Sequence, residues 1–175
     1  MTDDPSKYLT SGAWYRIQGP NNLVLCDENG LNLRYAGSGD LGSDGWQAWW
    51  ADERGWRFEN WTTGRTIRAT TPPRPDGGPP VPPPARGAPV YMADGGEQRY
   101  ELWALYPQAL PDKYALQAYN CFDRDSAMFL NVKGNADKWN EMASELITWE
   151  WSRGQPNEIW WFQEVDPQPD PTTRG

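Results

Sequence analysis

The stretch Asn157–Val165, NEIWWFQEV, is the most apolar part of the 175-residue chain and lies almost at its end. Only DPQPDPTTRG follows it, a segment so polar and rich in proline that we expect it to be disordered. A soluble chain that ends in two tryptophans and a phenylalanine needs neighbours that cover them. We therefore predict that IWWF forms a final β-strand, which pairs back with the first part of the chain and closes a barrel edge.

Composition limits the classes of partner. Lys and Arg number 16 against 24 Asp and Glu, so the net charge is -8, and histidine is absent. This balance disfavours nucleic acid and anionic membranes as partners, and the lack of imidazole removes a common catalytic base and metal ligand. No run of apolar residues is long enough to span a bilayer, so we expect no membrane insertion. We predict one domain without catalytic activity, metal or other cofactor.

The cysteines and the N-terminus indicate in which cellular compartment the protein is expected. Cys26 and Cys121 are the only cysteines and lack a C-x-x-C spacing, so they indicate neither a disulfide scaffold nor a redox site. The N-terminus has no basic run followed by an apolar stretch, so we expect no signal peptide. These features predict a reduced, cytoplasmic protein. They do not fix the oligomeric state, and a homodimer stays an open alternative.

The chain contains an internal repeat. Three stretches each contain two alternating strands separated by a polar turn: GAWYRIQGPNNLVLC from Gly12, RGWRFENWTTGRTIRA from Arg54 and DKYALQAYNCFDRDSAMFLNV from Asp112. A third strand follows in each case, as LNLRY (Leu31–Tyr35), PVYMA (Pro89–Ala93) and LITWEW (Leu146–Trp151). The closing segments are WQAWWA from Trp46, EQRYELWAL from Glu97 and NEIWWFQEV itself.

We therefore predict an all-β domain over residues 12–165, built from three four-stranded units at about 12–53, 54–111 and 112–165. Residues 1–11 and 166–175 are predicted to be tails. The stretch 71–89 contains nine prolines and is predicted to be a solvated loop within the second unit. A weak helical pattern at Asp137–Leu146 is equally well explained as a loop with one turn.

Each unit ends in a polar residue, a spacer and an aromatic residue. These are Gln47-Ala48-Trp49, Gln98-Arg99-Tyr100 and Glu158-Ile159-Trp160. With the strand pattern, this resembles the Gln-x-Trp repeat of ricin-B-type β-trefoil lectins, particularly the fungal members, over residues 12–165. The resemblance implies a β-trefoil with pseudo-threefold symmetry, and a non-catalytic cytoplasmic lectin that binds glycans or glycoproteins. We expect Trp49, Tyr100, Trp160 and Phe162 to be core residues, whereas Trp46 and Trp139 are candidates for the surface.

In that family the sugar contacts an Asp after the second strand, an aromatic residue near the third strand and an Asn before the repeat. Transferred to this sequence, the pattern implies a first-unit site of Asp27, Asn29, Tyr35, Asp44 and Trp46. It implies a third-unit site of Asn131, Asn135, Trp139 and Asn157, which lacks the Asp. In the second unit, Arg68 or Thr70 stands in the Asp position, so no site is expected. Asp27 is alternatively a turn residue in CDENGLN.

Such residues suit a saccharide. Carboxylate and amide groups bind vicinal hydroxyls, and an aromatic face covers the apolar C–H patch of a sugar ring.

Two other functions remain open. Fungal β-trefoil protease inhibitors share the scaffold, and an inhibitory loop would present Arg74 or Arg86, or Arg124 in NCFDRDSA. A protein-binding module would instead dock a partner through the proline-rich stretch. Asp123 and Asp125 do not predict a metal site, because the spacing of a calcium loop is missing.

Overall fold

The computed structural model describes residues 4–36, 42–51, 55–69, 86–94, 101–118 and 128–165. Within these ranges the chain forms twelve β-strands, and its helical segments are short 3-10 turns at Pro5–Lys7, Pro20–Asn22, Ala136–Lys138 and Pro156–Glu158. The strands are β1 (Trp14–Gln18), β2 (Leu23–Asp27), β3 (Leu31–Tyr35), β4 (Trp46–Ala51), β5 (Gly55–Asn60), β6 (Thr66–Ala69), β7 (Val90–Ala93), β8 (Trp103–Pro107), β9 (Lys113–Ala118), β10 (Met128–Val132), β11 (Leu146–Glu150) and β12 (Trp160–Glu164). None of the described segments is a helix that could cross a membrane.

Six strands close into an antiparallel barrel. β1 pairs with β4, β4 with β5, β5 with β8, β8 with β9, β9 with β12, and β12 returns to β1. The other six strands form the hairpins β2–β3, β6–β7 and β10–β11, which join the barrel through β1, β5 and β9. This is the predicted β-trefoil topology, and IWWF supplies the closing strand, as predicted.

The repeat is marked by Trp46, Trp103 and Trp160, which are spaced by 57 residues and are fully buried. Each begins the last strand of its unit and pairs with an aromatic residue on the first strand, respectively Tyr15, Trp56 and Tyr114. Alternate residues of a strand point to the same face, so a second inward layer lies two positions further along. Its members are Ile17, Ala48, Phe58, Leu105, Leu116 and Phe162, all buried. These two layers of large and small side chains fill the barrel.

The indole N–H of each repeat tryptophan connects the barrel to a hairpin. Trp46 donates to the carbonyl of Leu25 at 2.9 Å, and the equivalent bonds run from Trp103 to Ile67 and from Trp160 to Leu130, both at 3.1 Å. The three acceptors lie on β2, β6 and β10. A buried carbonyl without a donor would cost about 1–3 kcal/mol, so these bonds fix the position of each hairpin on the barrel.

The predicted register of the repeat is wrong in the first unit. Trp49 is 36% exposed, whereas Trp46 is completely buried. The first-unit equivalent of Glu158-Ile159-Trp160 is therefore Asp44-Gly45-Trp46, three residues earlier than predicted. The expected surface position of Trp46 and the expected core position of Trp49 are both corrected by this shift.

In the second unit the equivalent segment is Glu101-Leu102-Trp103, and the predicted Gln98–Tyr100 lies outside the described residues. The core positions of Trp160 and Phe162 are confirmed. The proline-rich residues 71–85 and the C-terminal residues 166–175 also lie outside the described ranges.

Residues 4–11 belong to the folded unit rather than to a tail. Leu9 is buried in the core. The carbonyl of Pro5 accepts the indole N–H of Trp56 at 3.1 Å, and the carbonyl of Tyr8 accepts the hydroxyl of Tyr114 at the same distance. The segment thus covers part of the barrel.

The weak helical pattern at 137–146 forms a loop with a single 3-10 turn and no α-helix. Cys26 is buried on β2, and its desolvation raises the pKa of the thiol to about 12. The thiolate that redox chemistry and metal binding require is therefore disfavoured there. Cys121 lies outside the described residues.

We expect Trp160→Phe to lower the free energy of unfolding by about 2 kcal/mol, because the carbonyl of Leu130 loses its donor and the smaller ring leaves a void. Urea unfolding followed by circular dichroism measures this change. The matched control is Trp49→Phe on the outer face of β4, which should change the value by less than about 0.5 kcal/mol. Equal effects of the two substitutions would contradict the assigned register.

Candidate functional site

A cavity of about 750 Å³ opens beside the β10–β11 hairpin. We call it the third-unit cavity. Its wall is formed by the end of β10, the loop that follows, the outward face of β11 and the turn before β12. All four residues predicted for the third unit line it, namely Asn131, Asn135, Trp139 and Asn157. The structure therefore brings this predicted set together.

Asn131 supplies a buried amide to the third-unit cavity. It lies on β10 opposite Ile147 of β11, and only 3% of its surface is exposed. Its Nδ2 is buried and has no hydrogen-bond partner among the described residues. An unpaired buried donor is costly and uncommon in native proteins, so a rotation of this side chain toward an acceptor in the cavity would be favourable.

Trp149 is a second aromatic side chain of the cavity beside Trp139, and it is not among the residues predicted from the sequence. Ile147 and Trp149 are two residues apart on β11, so they point to the same face, and both line the cavity. Trp149 is half-buried, and the guanidinium of Arg86 lies 4.3 Å from the centre of its ring. Arg86 is not a lining residue, so it supports the ring without filling the cavity. The alternation of apolar residues in LITWEW was the signal that could have identified Trp149.

A buried carboxylate orders the turn before β12. Glu158 accepts the backbone N–H groups of Ser152 at 3.0 Å and Gln155 at 3.1 Å. In the same turn, Nδ2 of Asn157 donates to the carbonyl of Val132 at 3.0 Å. No donor among the described residues occupies the side-chain oxygen of Asn157, and Ser152, Gln155 and Asn157 all line the cavity.

Trp139 forms part of the cavity wall and does not present an open surface for stacking. Only 8% of its surface is exposed, and its indole N–H donates to the carbonyl of Gly134 at 3.2 Å. The expectation that Trp139 faces solvent is therefore wrong, and Trp149 occupies the position that an aromatic platform requires. Asn135 is exposed and begins the 3-10 turn of the loop, with no hydrogen bond from its side chain to that turn.

The cavity is close to neutral. Lys133 is the only titratable side chain among the described lining residues, and its Nζ lies 3.4 Å from the carboxylate of Glu145 at an exposed position. Amide groups and an indole ring provide donors, acceptors and an apolar face, but no pair of acids for general acid–base chemistry. This arrangement is suited to bind an uncharged polar ligand.

The first-unit set is not assembled into a comparable site. The carboxylate of Asp27 is buried and accepts from Nε of Arg65 at 3.0 Å and from Nη2 at 2.6 Å. The hydroxyl of Thr63 also donates to it. Asp27 raises the pKa of the Arg65 guanidinium through this hydrogen bonding. The carboxylate is thus engaged in holding the β2–β3 hairpin to the loop before β6.

Asn29 and Tyr35 lie at opposite ends of this hairpin. Asn29 stands in its turn with a φ of 56°, and Asp27 pairs with Leu31 at that end. Tyr35 pairs with Leu23 at the other end, about 13 Å along the strand. Tyr35 is exposed, but it is too far from Asp27 to share a small ligand with it.

The other two residues of the first-unit set are also occupied. Asp44 is buried and accepts from Nε of Arg16 at 3.1 Å. Trp46 belongs to the barrel core, as described above. Nothing in the described part of the first unit therefore presents these five side chains to one ligand.

The second unit differs from the third at one equivalent position. Arg68 directly follows Ile67, as Asn131 follows Leu130, and these two carbonyls accept equivalent indole bonds. Arg68 donates to the buried carboxylate of Glu101 at 3.0 Å. A long cation thus occupies the place where the third unit has a short amide.

The residues proposed for an inhibitory loop gain no support. Arg86 lies against Trp149 and has its Nε 3.8 Å from the carboxylate of Glu150. Arg74 and Arg124 lie outside the described residues.

We expect Arg65→Ala to lower the free energy of unfolding by about 2 kcal/mol, because the buried carboxylate of Asp27 loses its charged partner. This loss is smaller than the loss expected for a fully buried ion pair, because the side chain of Arg65 is partly exposed to water. Arg34→Ala is the matched control, since its ion pair with Glu28 is partly exposed on both sides and should contribute less than about 1 kcal/mol. Urea unfolding at neutral pH compares them, and a smaller loss for Arg65→Ala than for Arg34→Ala would contradict the assignment.

Comparison with known proteins adds structural likeness only. No family model and no curated protein matches the chain. Among solved structures it is similar to ThreeFoil, a designed protein with threefold symmetry, with a TM-score of 0.67 and 16% identity, covering 87% of this chain and 99% of that one. It is also similar to the ricin B-like lectin of Macrolepiota procera in complex with lactose, with a TM-score of 0.65 and 15% identity. The match covers 90% of this chain and 99% of that one.

A third similar structure is SeviL bound to asialo-GM1 saccharide, with a TM-score of 0.55 and 14% identity, covering 88% of this chain and 98% of that one. At these identities the likeness shows the fold and not the activity. Together with the strand pairing, it confirms that the chain is a β-trefoil whose structural neighbours include ricin B-like lectins.

Proposed function

We propose that this chain is a non-catalytic, ricin-B-like carbohydrate-binding protein and that the third-unit cavity is its binding site. The observation that carries the proposal is the buried amide Nδ2 of Asn131, which has no partner among the described residues and belongs to a residue that lines the cavity together with Trp149. A sugar hydroxyl offers an acceptor for this N–H, and the C–H face of the same ring can pack on the indole of Trp149.

The size and charge of the cavity favour a neutral saccharide. Its volume of about 750 Å³ falls within the range of small-ligand sites. The lining combines amide donors and acceptors from Asn131, Gln155 and Asn157 with the indole rings of Trp139 and Trp149. The net charge of -8 disfavours polyanionic ligands. The lectin from Macrolepiota procera, in complex with lactose, and SeviL, bound to asialo-GM1 saccharide, support this class of ligand on the same fold.

Glycans and glycoproteins are the proposed partners. The third-unit cavity by itself predicts weak binding to one sugar, and a homodimer would raise the avidity for a multivalent glycan. The cytoplasmic location and the fungal type stay predictions from the sequence.

We expect Trp149→Ala to weaken binding of the best saccharide ligand at least tenfold, because the apolar face of the sugar loses its stacking surface. Trp149→Phe keeps an aromatic face and should retain most of the affinity. The measurement is isothermal titration calorimetry with lactose and with ligands identified on a glycan array.

Trp151→Ala is the matched control, since Trp151 is two residues away, 42% exposed and not a lining residue of the third-unit cavity. The Trp151→Ala variant should bind the saccharide with the same affinity as the unmodified protein. Folded protein that binds no saccharide on the array, or that binds equally well after Trp149→Ala, would refute the proposed site.

A further inference from the structure

A second cavity lies next to the third-unit cavity. Its volume is about 390 Å³, and it lies between the turn that follows β1 and the outward face of β12. The residues that matter for its chemistry are Gln18, Asn21, Asn22, Lys113, Pro156 and Trp161. We call it the β12 cavity.

Two residues connect the β12 cavity to the third-unit cavity. Pro156 lines both of them. Asn21 lines the β12 cavity, and its Nδ2 donates at 3.1 Å to the carbonyls of Ala136 and Trp139, which line the third-unit cavity. The two cavities are therefore adjacent at Pro156.

The β12 cavity has its own aromatic platform. Trp160 and Phe162 point into the barrel, so Trp161 between them points outward, and it is 38% exposed. Its neighbours across the sheet are Gln18 on β1 and Lys113 on β9, and Nζ of Lys113 lies 5.8 Å from the centre of the indole ring. An exposed indole between polar side chains presents an apolar face bordered by hydrogen-bonding groups.

The polar wall of this cavity is held in place. Oε1 of Gln18 accepts from Nε2 of Gln163 at 2.9 Å, and Nε2 of Gln18 donates to Oδ1 of Asn22 at 3.5 Å. Asn21 and Asn22 both have left-handed backbone conformations, with φ of 57° and 61°, which asparagine tolerates better than most residues. Gly19 begins this turn because a Cβ there would lie 2.6 Å from Cζ3 of Trp160.

We propose that the ligand is an oligosaccharide of at least two residues rather than a monosaccharide. One residue occupies the third-unit cavity and the next crosses Pro156 and stacks on Trp161, with hydroxyls near Gln18 and Asn22. This inference rests on the proposed function, because the first residue is held by the third-unit cavity. It assigns the β12 cavity as the site that distinguishes longer glycans from single sugars.

The test compares matched pairs of ligands by isothermal titration calorimetry: methyl β-galactoside with lactose, N-acetylglucosamine with chitobiose, and mannose with mannobiose. We expect one disaccharide to bind more tightly than its monosaccharide. Trp161→Ala should weaken disaccharide binding about three- to tenfold and leave the monosaccharide affinity unchanged. Trp49→Ala is the matched control, because Trp49 is similarly exposed on the outer face of β4 and lines neither cavity.

The outcomes separate this inference from the proposed function. If a monosaccharide binds and Trp149→Ala weakens it, but Trp161→Ala leaves the disaccharide affinity unchanged, the β12 cavity is not a saccharide site and only the further inference is overturned. The same holds if every disaccharide binds no more tightly than its monosaccharide. If neither a member of the three pairs nor a glycan on the array binds to folded protein, both proposals are overturned. Circular dichroism of each variant verifies the fold.

Discussion

Three indole N–H groups connect the barrel of this protein to its hairpins. They belong to Trp46, Trp103 and Trp160, and each donates to a carbonyl on the second strand of its own unit. Each bond contributes about 1 kcal/mol net, but an unpaired buried carbonyl would cost more, so the bonds restrict where the hairpins can lie. The same three rings also pack inside the barrel. In each unit, one tryptophan therefore both fills the core and attaches the hairpin to the barrel.

The three units differ in how they neutralise the buried carboxylate two residues before the repeat tryptophan. In the first and second units an arginine pairs with it, Arg16 with Asp44 and Arg68 with Glu101. In the third unit, Glu158 accepts backbone N–H groups instead. The third-unit hairpin therefore lacks the arginine that β6 carries in the second unit, and Glu158 orders the turn that contains Asn157.

The third-unit cavity lies beside this difference. Asn131 stands at the position equivalent to Arg68 and has a shorter side chain. Both Asn131 and Trp149 line the open cavity. The two neighbouring cavities share the turn at Pro156, so a single ordered loop shapes both. The candidate site thus lies where the third unit departs from the other two.

The strands and the closure of the barrel could be predicted from the sequence. Apolar and polar residues alternate along each strand, and the final apolar segment must be covered by other parts of the chain. The register of the repeat could not, because WQAWWA contains tryptophans at 46, 49 and 50 and a local polar-x-aromatic match selects the wrong one. Only the spacing of 57 residues and burial identify Trp46. For the site, the amides of the third unit were predicted, whereas the pairing of Asp27 with Arg65 depends on a contact between residues distant in sequence.

The most direct measurement is a crystal structure of the protein with lactose, or with the best disaccharide from the calorimetric pairs, at saturating concentration. We predict electron density for one sugar ring on Trp149, with a hydroxyl within hydrogen-bond distance of Nδ2 of Asn131, and for the second ring on the Trp161 side of Pro156. Density for the sugar on the first or second unit, with the third-unit cavity occupied by water alone, would contradict it.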